Sequence, residues 1–178
     1  TGGTAEFIRK LKIPVTEVEE ITNFPAVFGG RVKTLQPQIF GGILNRRDNS
    51  DDQKEKAKHK IEDIDLVIVD LYPFAPTLEK VGVPTSDDQS VGKELIEMID
   101  IGGISLIRAA AKNFNDVVVI SSKYQYKFLK DILERRPETT LEERKKLAGE
   151  AFRVTSKYDL TIRGYFQGTQ LRYGENPH

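Results

Sequence analysis

Two short runs of branched apolar residues constrain the fold of this sequence more than any other feature. Residues 64–70 read Ile-Asp-Leu-Val-Ile-Val-Asp, and residues 116–120 read Asp-Val-Val-Val-Ile. Short apolar runs of this kind are typical of strands that are buried on both faces of a parallel sheet. Helical patterns lie around and between the two runs. The sequence therefore predicts a doubly wound α/β domain with a mainly parallel sheet.

The predicted helical segments differ in amino-acid composition and in the signals that start them. An Ala-rich segment favours helix strongly, and Thr140-Leu141-Glu142-Glu143 has the spacing of a capping box that starts a long helix. A highly charged stretch is expected to form a solvated loop and helix. The predicted segments are residues 5–11, 91–99, 105–113 (the Ala-rich one), 124–135, a long helix after 140, and the charged stretch 46–65.

Composition excludes several classes of function. The 178 residues include 27 Lys and Arg, 27 Asp and Glu, two His and no Cys. Without cysteine there is no disulfide, thiolate nucleophile or Cys-ligated zinc, and two distant histidines do not predict a metal site. Balanced charge argues against a nucleic-acid-binding protein, and no apolar run is long enough for a membrane span. No secretory signal pattern opens the chain, so we expect a cytoplasmic protein.

One segment departs from the even charge distribution. Residues 21–45 contain no carboxylate but do contain Arg31 and Lys33. A local positive field without internal neutralisation could hold a small anionic ligand. Two surface cations that happen to be neighbours would give the same pattern, so both interpretations stay open.

Gly-Gly pairs recur at residues 2–3, 29–30, 41–42 and 102–103, and account for eight of the 14 glycines. Free backbone amides at such turns and helix starts attract anions. Three of the pairs lie beside groups suited to anion binding, which favours a phosphorylated small molecule as ligand. None of them forms a Walker loop or a Gly-x-Gly-x-x-Gly motif.

Three further residues are candidates for the ligand-binding edge of the sheet, where the strands end. Tyr72 directly follows the first strand, although the residues alone favour a packing aromatic beside Pro73. Asp100 precedes a Gly-Gly pair and could be a turn residue. Lys112 ends the Ala-rich segment, where a cation also stabilises the helix dipole.

Four motifs, in order along the chain, resemble the bifunctional AICAR transformylase/IMP cyclohydrolase family. They are Gly-Gly-Arg-Val-Lys-Thr-Leu-x-Pro at 29–37, Asp-Leu-Tyr-Pro-Phe at 70–74, Ile-Asp-Ile-Gly-Gly-x-Ser-Leu-Ile-Arg-Ala-Ala-Ala-Lys-Asn at 99–113 and Leu-Arg-Tyr-Gly-Glu-Asn-Pro-His at 171–178. The resemblance implies a methylglyoxal-synthase-like fold. It also implies that residues 1–168 form an IMP cyclohydrolase domain and that residues 169–178 are a linker and the start of the transformylase domain.

The implied reaction is closure of the purine ring of FAICAR to IMP with loss of water, without a metal or other cofactor. The parent protein would also formylate AICAR with 10-formyltetrahydrofolate, and family members are homodimers. The alternative is a non-catalytic phosphate- or nucleotide-binding regulatory domain of the same fold.

The resemblance also implies individual roles. Asp100, paired with Lys112, would handle the carboxamide proton, while Lys33 and Tyr72 would polarise and protonate the formyl oxygen; the acid and base roles could be exchanged. The residues implied to bind substrate are Thr1, Gly2, Gly3, Thr4, Arg31, Thr34, Gly102 and Gly103. A remnant of the transformylase site comprises Arg172, Tyr173, Asn176 and His178.

The sequence departs from the family pattern at two places. Gln36 stands where the family usually has His, so a positioning role is expected there and a proton-transfer role is not. The family also has a strand, a helix, a strand and a phosphate loop before the Thr-Gly-Gly-Thr that opens this chain. We therefore expect an N-terminally incomplete domain with exposed sheet edges.

Overall fold

The computed structural model describes residues 2–82, 89–135 and 138–168. Short 3-10 turns lie at Phe28–Gly30 and Lys123–Gln125. In chain order the helices and strands of these residues are α1 (Gly2–Lys10), α2 (Val18–Thr22), α3 (Pro37–Leu44), α4 (Ser50–His59), β1 (Leu66–Ile68), α5 (Phe74–Val81), α6 (Gln89–Glu97), α7 (Gly102–Lys112), β2 (Val118–Ile120), α8 (Tyr126–Arg135) and α9 (Leu141–Phe166).

The two predicted strands pair with each other in parallel, which confirms the predicted α/β class. Leu66 lies opposite Val118, and Ile68 lies opposite Ile120. Both strands are shorter than the apolar runs that predicted them. Ile64, which precedes β1, lies outside the strand pairing, because its N–H donates to the carbonyl of Gly42 at 3.0 Å instead of to β2.

Helix α7 connects the sheet to the rest of the core. It precedes β2 in the crossover from β1, contacts both strands, and packs against α9. Small side chains allow this close approach: three consecutive alanines of α7 and two of α9 are buried in the same cluster. The buried alanines are Ala109, Ala110, Ala111, Ala148 and Ala151.

The predicted capping box at the start of α9 is confirmed. The Thr140 hydroxyl accepts a hydrogen bond from the Glu143 N–H at 3.2 Å, and the Glu143 carboxylate accepts one from the Thr140 N–H at 2.8 Å. Arg144 in the next turn donates to the carbonyls of Phe114 and Asn115. This guanidinium therefore fixes the start of α9 to the loop that leads into β2.

Three helices, α2, α3 and α5, have no counterpart in the sequence predictions. Helix α3 also explains the Gly-Gly pair at 41–42, since a Cβ on Gly41 would lie 2.8 Å from the Ile61 side chain and one on Gly42 would clash with the Glu62 carbonyl oxygen. This pair permits close packing and needs no ligand to account for it. Within the described ranges, no helix combines the length and the apolar character needed to cross a membrane.

The α7–α9 contact can be tested by overpacking. Ala151→Leu adds three carbons at a fully buried position, and we expect it to lower the free energy of unfolding by about 1–3 kcal/mol. Ala57→Leu adds the same atoms at an exposed position of α4 and should leave stability nearly unchanged. Chemical denaturation of both variants measures the difference, and equal stabilities would contradict the packing described.

Candidate functional site

The cationic segment predicted from the sequence lies against the start of α7. Its chain turns at Gly29 and Gly30, whose φ values of 66° and 90° are those of the left-handed region that favours glycine. The turn is closed by an antiparallel bridge between Val27 and Val32. Beyond it, Thr34 is buried, and its hydroxyl oxygen lies 3.0 Å from the point that a Cβ on Gly102 would occupy.

Carboxylates from elsewhere in the chain neutralise both cations of this segment. Arg31 pairs with Glu97 at the end of α6, at 3.4 Å. Lys33, whose side chain is only 16% exposed, pairs with Glu19 at 3.0 Å and lies 3.8 Å from Glu17. The segment has no carboxylate of its own, but its two cations are not free, because Glu97 and Glu19 pair with them. The acidic partners come from outside residues 21–45, where a local charge count does not find them.

The pair between Lys33 and Glu19 connects the site to the amino-terminal helices. The hydrogen bond from Lys33 holds the pKa of Glu19 below its ordinary value. Glu17 also accepts a hydrogen bond from Arg9 of α1 at 2.7 Å. One oxygen of Glu19, Oε2, is buried without a hydrogen-bond partner. The lysine is thus held at the meeting point of α1, α2 and the cationic segment.

Asp100 organises the turn between α6 and α7. Its carboxylate accepts a hydrogen bond from the Gly103 N–H at 2.6 Å and so satisfies a free amide in the first turn of α7. A Cβ on Gly103 would lie 2.8 Å from the carboxyl carbon of Asp100. The second glycine of this pair is therefore required by the approach of Asp100, just as the first is crowded by Thr34.

The backbone of the same turn is held by Tyr158 of α9. The Asp100 N–H donates to the Tyr158 hydroxyl oxygen at 2.8 Å, and that hydroxyl donates to the Met98 carbonyl at 2.6 Å. Burial raises the pKa of Tyr158 above its ordinary value. Sequence reasoning missed this residue. The signal for it was present, because Ala151, Thr155 and Tyr158 follow the i, i+4, i+7 spacing of one helix face.

Tyr72 lies beyond the carboxyl end of β1 and is 57% exposed. The packing role that the sequence left open for it belongs instead to Phe74, which is fully buried. The Phe74 ring meets Tyr158 edge-on at 6.4 Å and Tyr165 at 5.8 Å between ring centroids. Tyr158 therefore links the segment that carries Tyr72 to the turn that carries Asp100.

A second phenol marks the same edge of the sheet. The Tyr126 hydroxyl donates to the Asp70 carboxylate at 2.6 Å, and this bond raises the pKa of Tyr126 to about 12. Asp70 follows β1, while Tyr126 opens α8 after β2. The hydrogen bond thus ties together the two segments that leave the carboxyl ends of the strands.

Lys112 does not lie near Asp100. The two residues flank α7, which begins at Gly102 and ends at Lys112, and ten residues of α-helix span about 15 Å. The predicted direct pairing of Asp100 with Lys112 is therefore wrong within this chain. Lys112 is exposed beside Asn113, whose amide donates to the Ile43 and Asn45 carbonyls. Its place at the helix end fits the stabilisation of the dipole.

The remaining predicted site residues are distributed as follows. Gly2, Gly3 and Thr4 are exposed in the first turn of α1, at the end opposite the Arg9–Glu17 contact. The Gln36 N–H donates to the Thr34 carbonyl at 2.8 Å, and Gln36 precedes α3.

No cluster of three His, Asp or Glu suited to a metal occurs in the described part of the chain. Predicted residues outside the described ranges are Thr1, Arg172, Tyr173, Asn176 and His178.

Two family descriptions match this sequence. The MGS-like domain matches residues 1–105, and the AICARFT/IMPCHase bienzyme matches residues 110–178. The crystal structure of ForH superposes on this chain with a TM-score of 0.79 at 31% identity, covering 96% of this chain and 84% of that one. The fold and the sequence motifs therefore point to one family.

Curated relatives match the whole chain. The bifunctional purine biosynthesis protein PurH of Bacteroides thetaiotaomicron is 51% identical and that of Rippkaea orientalis is 45% identical, each over 100% of this chain. The chain spans 36% and 37% of the length of these two proteins. The resemblance read from the four motifs is confirmed: this chain belongs to the MGS-like domain family and is homologous along its whole length to the bifunctional purine biosynthesis protein PurH.

Proposed function

We propose that this chain carries the IMP cyclohydrolase part of purine biosynthesis, closing FAICAR to IMP with loss of water. The observation that supports this most is the meeting of the cationic segment with the turn before α7. Thr34 packs against Gly102, while the Asp100 carboxylate caps the helix at Gly103. The same region thus supplies backbone amides at a helix start, the Asp100 carboxylate and, next to Thr34 in the chain, the partly buried Lys33. These are the types of group that stabilise and protonate a developing oxyanion.

Ring closure begins with attack of the carboxamide nitrogen on the formyl carbon. A new C–N bond forms, the nitrogen gives up one proton, and the formyl oxygen becomes an oxyanion that must be protonated. Asp100 is suited to accept the first proton, and the Lys33 ammonium is suited to stabilise the oxyanion and protonate it. Tyr72, exposed after β1, is a second donor for the same oxygen.

The second stage is loss of water. The carbinol C–O bond breaks, the hydroxyl leaves after gaining a proton, and the former formamido nitrogen loses its proton as the ring becomes aromatic. The same groups serve here with their proton roles exchanged. None of these steps requires a metal or a redox cofactor, so the proposal includes neither.

Nucleotide binding in this proposal falls to Arg31, Thr34 and the Gly102–Gly103 turn that Asp100 holds in shape. Formylation of AICAR by 10-formyltetrahydrofolate is assigned to the whole bifunctional protein. This chain spans 36% of the length of the Bacteroides thetaiotaomicron relative. A homodimer and a cytoplasmic location belong to the same proposal.

A non-catalytic nucleotide-binding domain is the second candidate. It is favoured by the position of Lys112, which lies at the far end of α7 from Asp100. A binding domain needs the cationic segment and the glycine turn but no proton-transfer groups. Conversion of FAICAR, measured by the absorbance change on IMP formation, separates the two candidates.

Lys33 provides the sharpest test of catalysis. In the full-length protein, Lys33→Ala should reduce kcat for FAICAR cyclisation by about 10²–10⁴-fold, the usual contribution of an acid–base group. Lys54→Ala, which removes an exposed partner of Asp51 on α4, is the matched control and should retain full activity.

Because Lys33 also pairs with Glu19, a structural effect must be separated from a chemical one. Glu19→Gln breaks the same ion pair but leaves the ammonium, and we expect it to cost less than about fivefold in kcat, as for a modest ion pair. If Lys33→Ala and Glu19→Gln are equally impaired, Lys33 acts only through the ion pair and its catalytic role fails.

Gly103 tests the binding half of the proposal. Gly103→Ala places a methyl group against the Asp100 carboxylate, so the Asp100–Gly103 hydrogen bond must break or the turn must move. We expect IMP affinity, measured by calorimetry, to fall about tenfold, as for a charge-assisted hydrogen bond. Gly149→Ala on α9 adds a methyl group with no atom within 4 Å and should leave affinity unchanged. Wild-type affinity in Gly103→Ala would remove the turn from the binding site.

A further inference from the structure

One side chain of α9 holds both segments that carry the candidate acid–base groups. Tyr158 contacts the α6–α7 turn through its hydroxyl and the segment after β1 through its ring. We propose that Tyr158 is the positioning residue that sets the Asp100 turn relative to the Tyr72 segment. This inference rests on the cyclohydrolase function proposed above.

The hydroxyl satisfies two backbone groups that the end of α6 leaves free. Helix α6 ends at Glu97, and the chain must reverse before α7 starts at Gly102. The Tyr158 oxygen accepts from the Asp100 N–H at 2.8 Å while its proton goes to the Met98 carbonyl at 2.6 Å. The hydroxyl thus acts as acceptor for Asp100 and as donor to Met98, and so fixes the residues on both sides of Ile99.

A separate hydrogen bond holds the Asp100 side chain. The Asp100 residue whose N–H is held by Tyr158 uses its own carboxylate to accept from the Gly103 N–H at 2.6 Å. The carboxylate is therefore fixed from its backbone side by α9 and from its side-chain side by α7.

The ring of Tyr158 has a separate task. It packs edge-on against Phe74, which is fully buried two residues after the exposed Tyr72. Phe74 also meets Tyr165, seven residues further along α9. The segment that carries Tyr72 is therefore anchored through Phe74 to the same helix that holds Asp100. Removing the hydroxyl alone leaves this aromatic contact in place.

Tyr158→Phe is accordingly the informative substitution. In the full-length protein it should release the Asp100 amide while keeping the Phe74 packing. We expect kcat for FAICAR cyclisation to fall by about tenfold to a hundredfold, the effect of a small misplacement of a reacting group, with KM changed less than about threefold. Tyr124→Phe, which removes a hydroxyl from a side chain that is 96% exposed, should change neither.

A second measurement tests positioning without any reference to turnover. Hydrogen–deuterium exchange followed by mass spectrometry should show faster exchange in the peptide that covers residues 98–103 of Tyr158→Phe. The expected acceleration is about fivefold to tenfold, corresponding to one lost hydrogen bond. The peptide that covers α3 should exchange as in the wild type, because the fold is retained.

The outcomes separate the two proposals. If the wild-type protein does not cyclise FAICAR, the proposed function fails, and the exchange measurement still decides whether Tyr158 fixes the turn. If the wild type is active and Tyr158→Phe has the same kcat, or if residues 98–103 exchange at the wild-type rate, the positioning role of Tyr158 is overturned. A lower melting temperature with unchanged kcat and exchange would mean a purely structural role.

Discussion

The direction of α7 across the parallel strands determines where Asp100, the Gly102–Gly103 turn and Lys112 lie. Its buried alanines pack closely against the sheet and α9, and this packing fixes the orientation of the helix. Because α7 leads into β2, its start lies toward the carboxyl ends of the strands and its end toward their amino ends. Asp100 and Gly103 therefore join the segment after β1, whereas Lys112 is carried to the opposite edge. Packing of small apolar residues thus decides which polar residues can act together.

Charge neutrality within the site changes what a ligand must offer. Lys33 is already held by Glu19, and Arg31 by Glu97. An entering anion has to compete with these carboxylates or share their partners. A phosphate group with close to two negative charges interacts more strongly with a fixed cation than a single carboxylate does. Under the proposed function the phosphate of the nucleotide meets this requirement, and the ion pairs hold the two cations in place before it binds.

Sequence reasoning succeeded where the signal was local and failed where the contact was distant. The two strands, the Ala-rich helix and the capping box at Thr140 each depend on neighbouring residues, and the structure contains all of them. The pairing of Lys33 with Glu19 and the contact of Tyr158 with Asp100 join residues from different elements. Such contacts depend on the tertiary arrangement, which composition and periodicity do not specify. The error about Lys112 has a different origin, because its pairing with Asp100 came from the family resemblance, whereas the helix between the two residues keeps them apart whichever way it runs.

The Gly-Gly pairs show how one sequence signal can have several physical causes. At 29–30 the backbone needs positive φ. At 41–42 a Cβ would meet the Ile61 side chain and the Glu62 carbonyl oxygen, and at 102–103 it would meet polar atoms of Thr34 and Asp100. A polar neighbour therefore does not by itself distinguish a ligand-binding glycine pair. The distinguishing feature of 102–103 is its place at the start of α7, where helix amides lack an intrahelical partner, whereas 41–42 lies inside α3. The pair alone does not reveal that difference, because it depends on where the helix begins.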